Sequence, residues 1–263
     1  MIRALNSAAS GMTAQQLNVD TIANNLANAN TTGFKMRRAQ FADLMYQSIV
    51  QPGAAAGQQT TVPSGLQLGL GSRATSNEII FSQGAFASTG NPLDVAIQGK
   101  GFLQVQQPNG TLAYTRDGSF QLDRNGNIVD FSGNALVPQI TIPATAQNIT
   151  IGLDGTVSYT LTGQTAAQKV GQIQLANFQN PGGLNSVGSN LFLPTDASGD
   201  PQVGNPGGQE GLGTLAQSYV EQSNVDVVEA FVDLIQSQRA YEANSRVVKA
   251  ADEMYQQINQ LTQ

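Results

Sequence analysis

The chain has 263 residues, 40% hydrophobic and 11% charged, with a net charge of −6; that length holds one or two domains with a core, and an acidic balance without a Lys/Arg-rich run argues against a nucleic-acid partner. It contains no Cys, His or Trp, which removes disulfides, thiolate nucleophiles, imidazole bases and the usual zinc sites. No window of about 18 apolar residues is present, so no membrane-spanning helix is predicted, and "MIRALNSAASGM" lacks the long apolar stretch of a cleaved secretory signal.

Residues 2–29 predict a helix. Ile2, Leu5, Ala9, Met12, Gln16, Val19, Ala23 and Leu26 follow alternating steps of three and four. All but Gln16 are apolar, which is the 3.5-residue seam of a coiled coil. Ala8, Leu17 and Ile22 widen the stripe, Asn30 ends it, and Gly33 offers the permissive backbone expected just past a helix end. The stretch "ANNLANANTTGFK" (23–35) contains Asn24, Asn25, Asn28 and Asn30. Asn is a poor helix former because its amide competes for nearby backbone groups. Two readings stand: the asparagines fray and end the helix, or they hydrogen-bond across subunits of a packed helical layer and fix its register.

From Leu44 to Ser72 no residue is charged. Rich in Gly, Pro, Ala and Gln, this stretch predicts neither a good helix nor a good strand. Long irregular segments are either functional or linkers.

The middle of the chain reads as short alternating runs broken by turns. Asn109-Gly110, Asp117-Gly118, Asn125-Gly126 and Asp154-Gly155 are hairpin signals. They predict an antiparallel β domain over residues 95–200, with the Gly/Pro/Asn-rich residues 180–213 looping over its surface. "LDRNGNIVD" places Asp123, Asn125, Asn127 and Asp130 in loose imitation of a calcium loop, but its Gly is misplaced and the twelfth position, Asn134, is not acidic. A hairpin turn is the better reading. "GLGSRA" from Gly69 has neither the strand–helix context nor the Lys of a nucleotide loop.

Residues 225–261 predict a second long helix. Ser223 or Asn224 can cap it, and Asp226 and Glu229 suit its positive end. Val227, Ala230, Leu234, Tyr241, Val248, Ala251, Tyr255 and Ile258 continue a three-four pattern, interrupted by Ser237 and Asn244. Val228, Phe231, Val232 and Ile235 form a second apolar face, which calls for neighbours on more than one side.

The expected fold class is α+β: long N- and C-terminal helices in a coiled-coil-like layer, a central antiparallel all-β domain, and an extended insertion. Helices of about 28 and 35 residues are roughly 42 and 52 Å long, whereas a domain of about a hundred residues has a radius of gyration near 13 Å. Such a domain leaves helical apolar surface uncovered, which marks an association site. Identical chains stacking head to tail without closure bury it in a helical filament. The acids nearest to catalytic candidates, Asp226, Glu229 and Asp233, lie along a helix rather than in a cleft, so no enzyme and no cofactor are expected.

"IANNLANANTTGFK" (22–35) resembles the N-terminal signature of the bacterial flagellar rod and hook proteins. "VEQSNVDVVEAFVDLIQSQRAYEANSRVVKAADEM" (220–254) resembles the matching C-terminal signature, and "DVAIQGKGFLQV" with "YTRDGSFQLDRNGNIV" resembles the start of the family's outer domain. The resemblance covers nearly the whole chain. It departs from the usual pattern only at Ala29-Asn30. It implies a structural subunit of the bacterial flagellar basal body that polymerises into a straight, rigid rod and transmits motor torque to the hook. Implied partners are copies of itself, proximal rod proteins, the hook protein, the L- and P-ring proteins that act as bushing, a rod-cap protein and the flagellar type III export apparatus, with no nucleic acid. Assembly in the periplasm, reaching the outer membrane, without a cleaved signal, is also implied.

The expected organisation is a terminal helical assembly domain (1–33 and 221–263), a connecting region (34–94), the outer β domain (95–200) and a return linker (201–220). The assembly residues are Leu5, Met12, Val19, Leu26, Val227, Phe231, Leu234, Tyr241, Val248, Tyr255 and Ile258. The signature residues are Asn24, Asn25, Leu26, Asn28, Asn30, Thr32, Gly33, Phe34 and Lys35. The segment 46–71, with Tyr46, Gln51, Pro52, Gly53, Pro63, Ser64 and Gly65, is similar to an insertion that stiffens the rod in this family. The alternatives are a proximal rod or hook subunit and, in a different class, a stalked β-domain adhesin.

Overall fold

A computed structural model describes residues 2–51, 64–161, 166–208 and 211–261. Pro52, Gly53 and Pro63 of the insertion lie outside the described residues. The chain divides into two compact units: residues 1–27, 37–78 and 226–263 form one, and residues 28–36 and 79–225 the other.

The first unit pairs helix α1 (Ile2–Ala27) with helix α2 (Val227–Leu261). Leu234, Val248, Ala251 and Tyr255 of the seam read from the sequence are buried or half-buried on α2, whereas Val227 and Tyr241 are exposed, and the two interruptions lie on the buried face. Ser237 is buried and accepts a 2.8 Å hydrogen bond from the Asn18 amide. Asn244 packs over Gly11, where a Cβ would come within 2.9 Å of its amide. On α1 the contact face lies elsewhere than the apolar seam. Ala8, Ala14, Thr21, Ile22 and Asn25 are buried, whereas Ala9, Gln16 and Ala23 are exposed and Leu5, Met12, Val19 and Leu26 are half-buried. The buried stripe is displaced from the seam by one residue, roughly 100° around the helix. Small and amide-bearing side chains let the two backbones approach and set their register.

Both helix ends differ from expectation. α1 stops at Ala27, where Thr31 N–H donates to the Asn28 carbonyl and Thr31 Oγ1 to the Asn28 amide oxygen. At the start of α2 the cap is Asp226 rather than Ser223 or Asn224. Asp226 Oδ1 accepts the N–H groups of Val228 and Glu229, two of the donors a helix start leaves open.

The same unit holds four strands: β1 (Arg37–Asp43), β2 (Tyr46–Val50), β3 (Leu66–Gly69) and β4 (Ser72–Ile79). β1 pairs β4, and β2 pairs β3 antiparallel with Tyr46 opposite Gly69 and Gln47 opposite Leu68. The ends of the uncharged segment are therefore strands, against the reading that they suit no regular structure. The alternation in "LQLGLG" is short, and the partner strand supplies what local propensity does not.

Among the described residues, the second unit is all-β apart from one 3₁₀ turn. Its largest sheet has nine strands, with Phe102–Gln106 at its centre paired to Leu112–Thr115, Ala135–Val137 and Leu175–Asn177. A three-stranded sheet over 146–172 and the pair Val95–Gln98 with Thr214–Gln217 pack around a core that includes Ile97, Leu103, Val105, Leu136, Val157 and Leu215. Residues 180–213, expected as loops, contain the strands Asn185–Gly188, Leu191–Leu193 and Gln202–Gly204. The Gly and Asn residues there form the links between strands too short to stand out from their turns.

Three of the four hairpin signals join paired strands: Gly110, Gly126 and Gly155 have φ of +84°, +83° and +80°. Asp123 accepts N–H groups from Asn125 and Asn127, so the loop resembling a calcium site is a turn closed on its own carboxylate, whose pKa those bonds lower. Asp117-Gly118 is different, because the strands on either side of it are not partners of each other. Val95 N–H donates to the Gly118 carbonyl, and a Cβ on Gly118 would lie 1.7 Å from the Val95 carbonyl oxygen. Gly118 is required by close backbone approach. We expect Gly118→Ala to destabilise the protein by about 3 kcal/mol or more, by parting this contact. Gly110→Ala, which meets open space, should cost only about 1–2 kcal/mol for its positive φ. Urea unfolding of both variants checks the order.

Candidate functional site

Two features could carry function: the surfaces of the helical pair and a buried ionic cluster in the β unit. The cluster is built from both signatures. Lys35 comes from the first segment of the unit, Arg116 from the end of strand Leu112–Thr115, and Glu221 from the last strand, Tyr219–Glu221, which pairs Phe86–Ser88. Lys35 Nζ lies 2.5 Å from Glu221 Oε1, and Arg116 Nη1 lies 3.3 Å from Oε2. The side chains of Lys35 and Glu221 have no exposed surface, and that of Arg116 has 5%.

Each of the three side chains also has a backbone partner. Gly84 N–H donates to Glu221 Oε1, Lys35 Nζ donates to the Ser82 carbonyl, and Arg116 Nη2 donates to the Gly99 carbonyl. The Arg116 guanidinium also lies over the Phe102 ring, 5.4 Å from its centre, a favourable cation–π placement. Burial lowers the pKa of Lys35 despite Glu221, and the neighbouring Arg116 charge lowers it further. Burial likewise lowers that of Arg116.

Backbone bonds complete the closure. Gly33 N–H donates to the Glu221 carbonyl, and Gln222 N–H to the Ala85 carbonyl. The Asn224 amide oxygen accepts Met36 N–H, while its nitrogen donates to the Ile80 carbonyl. Gly33 is no helix cap: at φ +68° it lies so close to Arg116 and Asp117 that a Cβ would be 2.6 Å from Asp117 N. Burial raises the Asp117 pKa. Of the signature, Gly33 and Lys35 are buried here and Thr32 and Phe34 are half-buried. Asn25 is buried in the helical unit, with both amide atoms on the Arg37 backbone: Oδ1 accepts its N–H and Nδ2 donates to its carbonyl. Leu26 and Asn28 are half-buried, and Asn24 and Asn30 exposed. Sequence reasoning missed Arg116 and Glu221. The available signal was a Glu inside the C-terminal signature facing a Lys inside the N-terminal one.

Of the assembly residues, Leu234, Val248 and Tyr255 are half-buried along the contact face. Val227, Phe231 and Tyr241 are exposed, as are Val228, Val232 and Ile235. The last three stand roughly 150° around α2 from its contact face. The side chain of Ile258 lies outside the described residues. In the insertion Tyr46, Gln51 and Ser64 are exposed and Gly65 half-buried.

This combination of a two-helix unit built from both chain ends and an antiparallel β unit closed by both signatures is that of a scaffold. Family models match three stretches: "Flagella basal body rod protein" over residues 5–35, "Flagellar hook protein FlgE/F/G D1 domain" over 96–159, and "Flagellar basal body rod FlgEFG protein C-terminal" over 216–261. The chain is 52% identical to the flagellar basal-body rod protein FlgG of Buchnera aphidicola subsp. Schizaphis graminum, over 99% of this chain and all of that one. It is 50% identical to that of Caulobacter vibrioides, over 99% of both chains, and 39% identical to that of Bacillus subtilis, over 98% of both. The chain belongs to the flagellar rod and hook protein family, a structural and non-enzymatic one. The basal-body rod proteins named above match it over essentially their full length.

We expect Glu221→Gln to leave two buried cations without their carboxylate and to destabilise the protein by about 3–5 kcal/mol, measured by urea unfolding. The pH dependence has a definite sign. The folded-state pKa of Lys35 is below 10.5, so the unfolded chain holds that proton more tightly. Its contribution to stability therefore rises with pH from the folded value up to 10.5 and is flat above it. Lys35→Met should remove that slope from the unfolding free energy.

Proposed function

We propose that the chain is a structural rod subunit that polymerises head to tail through its terminal helices, forming the straight distal rod that carries motor torque to the hook. The observation that supports this most directly is the apolar surface of α2 facing away from α1, where Val228, Phe231, Val232 and Ile235 are about half or more exposed. Four large apolar groups at helical spacing make a stripe suited to another helix. The apolar seam of α1, displaced from its buried stripe and half-buried at Leu5, Met12, Val19 and Leu26, gives a second such surface. Stacked copies bury both, and the non-closing operation that does so generates a filament. The terminal helical segments are the assembly domain in this reading.

The uncharged segment is the stiffening element. Its described ends form a paired ribbon, with Tyr46, Ile49, Leu66 and Leu68 exposed. A hydrogen-bonded ribbon without charge is cheap to desolvate between subunits and resists sliding. The neighbours follow from this role: proximal rod proteins at one end, the hook protein at the other, the L- and P-rings around the shaft, and the type III export apparatus and rod cap during assembly. The working place is the periplasmic space up to the outer membrane. A proximal rod or hook subunit needs no such ribbon, and an adhesin stalk needs no helices at both chain ends.

Ile235→Asp tests the assembly surface. Because Ile235 is 48% exposed, the chain should fold normally yet fail to sediment as polymer, and normal filaments in negative-stain micrographs would overturn the assignment. Deleting residues 46–71 should spare polymerisation and yield curved or flexible filaments. Straight rods would refute the stiffening role, and discrete stalks from the unaltered protein would favour the adhesin.

A further inference from the structure

The β unit contains a cavity of about 470 Å³ beside the ionic cluster. Its walls include the rings of Phe81, Phe102 and Phe178, and its polar groups include Lys100, Arg116 and Gln202, with no acidic residue among the described residues that line it. The rings stand edge to face, Phe81 on Phe102 at 5.3 Å and Phe102 on Phe178 at 5.8 Å, so the apolar wall is rigid. Lys100 is exposed at the rim.

The charge around this cavity is unbalanced. Among the described residues, Glu221 is the carboxylate whose charge acts on Lys35 and Arg116, so two buried cations share it. Arg116 Nε is buried without a hydrogen-bond partner. Lys100, also lining the cavity, adds a third positive group. In a chain of net charge −6, this is a local positive field over an aromatic floor, held in place by the bond of the guanidinium to the Gly99 carbonyl. A positive field in a partly desolvated recess attracts an anion, and three ring faces and edges favour an apolar body attached to it.

We propose that this cavity is a binding site for a carboxylate carried on an aromatic or aliphatic body. Lys100 makes the direct charge-assisted contact, Gln202 donates a further hydrogen bond, the phenylalanines take the body, and Arg116 supplies the field from behind without leaving Glu221. The chemistry has two sources: a free amphiphilic carboxylate, or an acidic side chain next to an apolar one in a segment of a partner protein. The site lies within the β unit and stands independently of the polymerisation reading.

Saturation-transfer NMR of the full-length chain with phenylacetate tests it, with phenylacetamide as the uncharged isostere. Phenylacetate should bind and the amide should bind at least about five-fold more weakly. Lys100→Ala, an exposed substitution that leaves the fold intact, should weaken phenylacetate by a similar factor while leaving the amide unchanged. Equal binding of acid and amide, or an unaltered affinity in Lys100→Ala, would overturn the proposal. The blocked peptide acetyl-Gly-Phe-Glu-Gly-amide separates the sources. Displacement of phenylacetate supports the site and assigns it to a protein segment, whereas phenylacetate binding that the peptide does not displace supports it as a small-molecule site. Sedimentation of the same Lys100→Ala chain keeps the result apart from the polymerisation reading, because its polymers should be unchanged.

Discussion

A single carboxylate, that of Glu221, is shared in the interior of the β unit between a lysine and an arginine from two other parts of the chain. Taking these three charges out of water is expensive, and the arrangement is tolerable because each group also has backbone partners. The cost makes the contact selective. Lys35 or Arg116 buried alone would be strongly unfavourable, so the three segments must arrive together. Gly33, Ala85 and Asn224 then fix the same segments through the backbone, and the first and last strands of the unit become one closed edge.

The helical unit is organised by a different constraint. The contact between α1 and α2 sets Gly11 under Asn244 and Asn18 against Ser237, with Leu234, Val248 and Tyr255 half-buried along the same face of α2. Burying small residues yields little hydrophobic stabilisation, at roughly 25 cal/mol per Å², but it brings backbones close and lets amides define register. Val228, Phe231, Val232 and Ile235 are left for other surfaces. A subunit whose helices spent their leucines and phenylalanines on each other would have little with which to hold a neighbour.

The asparagines of "ANNLANANTTGFK" illustrate how a local oddity resolves into specific tasks. Asn25 does not fray the helix: it reproduces a strand-like pair of bonds with the Arg37 backbone and so fixes how β1 leaves the helix it follows. Asn28 forms the turn that ends α1. The poor helix propensity of Asn is tolerated because its amide can satisfy backbone groups that a helix end leaves open.

The sequence alone determined the two long helices, the antiparallel β character between them, three hairpin turns and the family, because these rest on short-range periodicity, turn chemistry and motifs written in consecutive residues. It also marked Leu234, Val248, Ala251 and Tyr255 along one face of α2 with the two polar interruptions among them, though not what those were for. Only the tertiary structure decided that Glu221 meets Lys35 and Arg116, residues 186 and 105 positions away in sequence. It decided as well that Gly118 serves a close approach rather than a hairpin, that Asp226 caps α2, and that α1 turns a face displaced from its apolar seam toward its partner. Each of these depends on what lies across space from a residue. Periodicity reports that a face is apolar, and it contains no information about which of several neighbours will cover it.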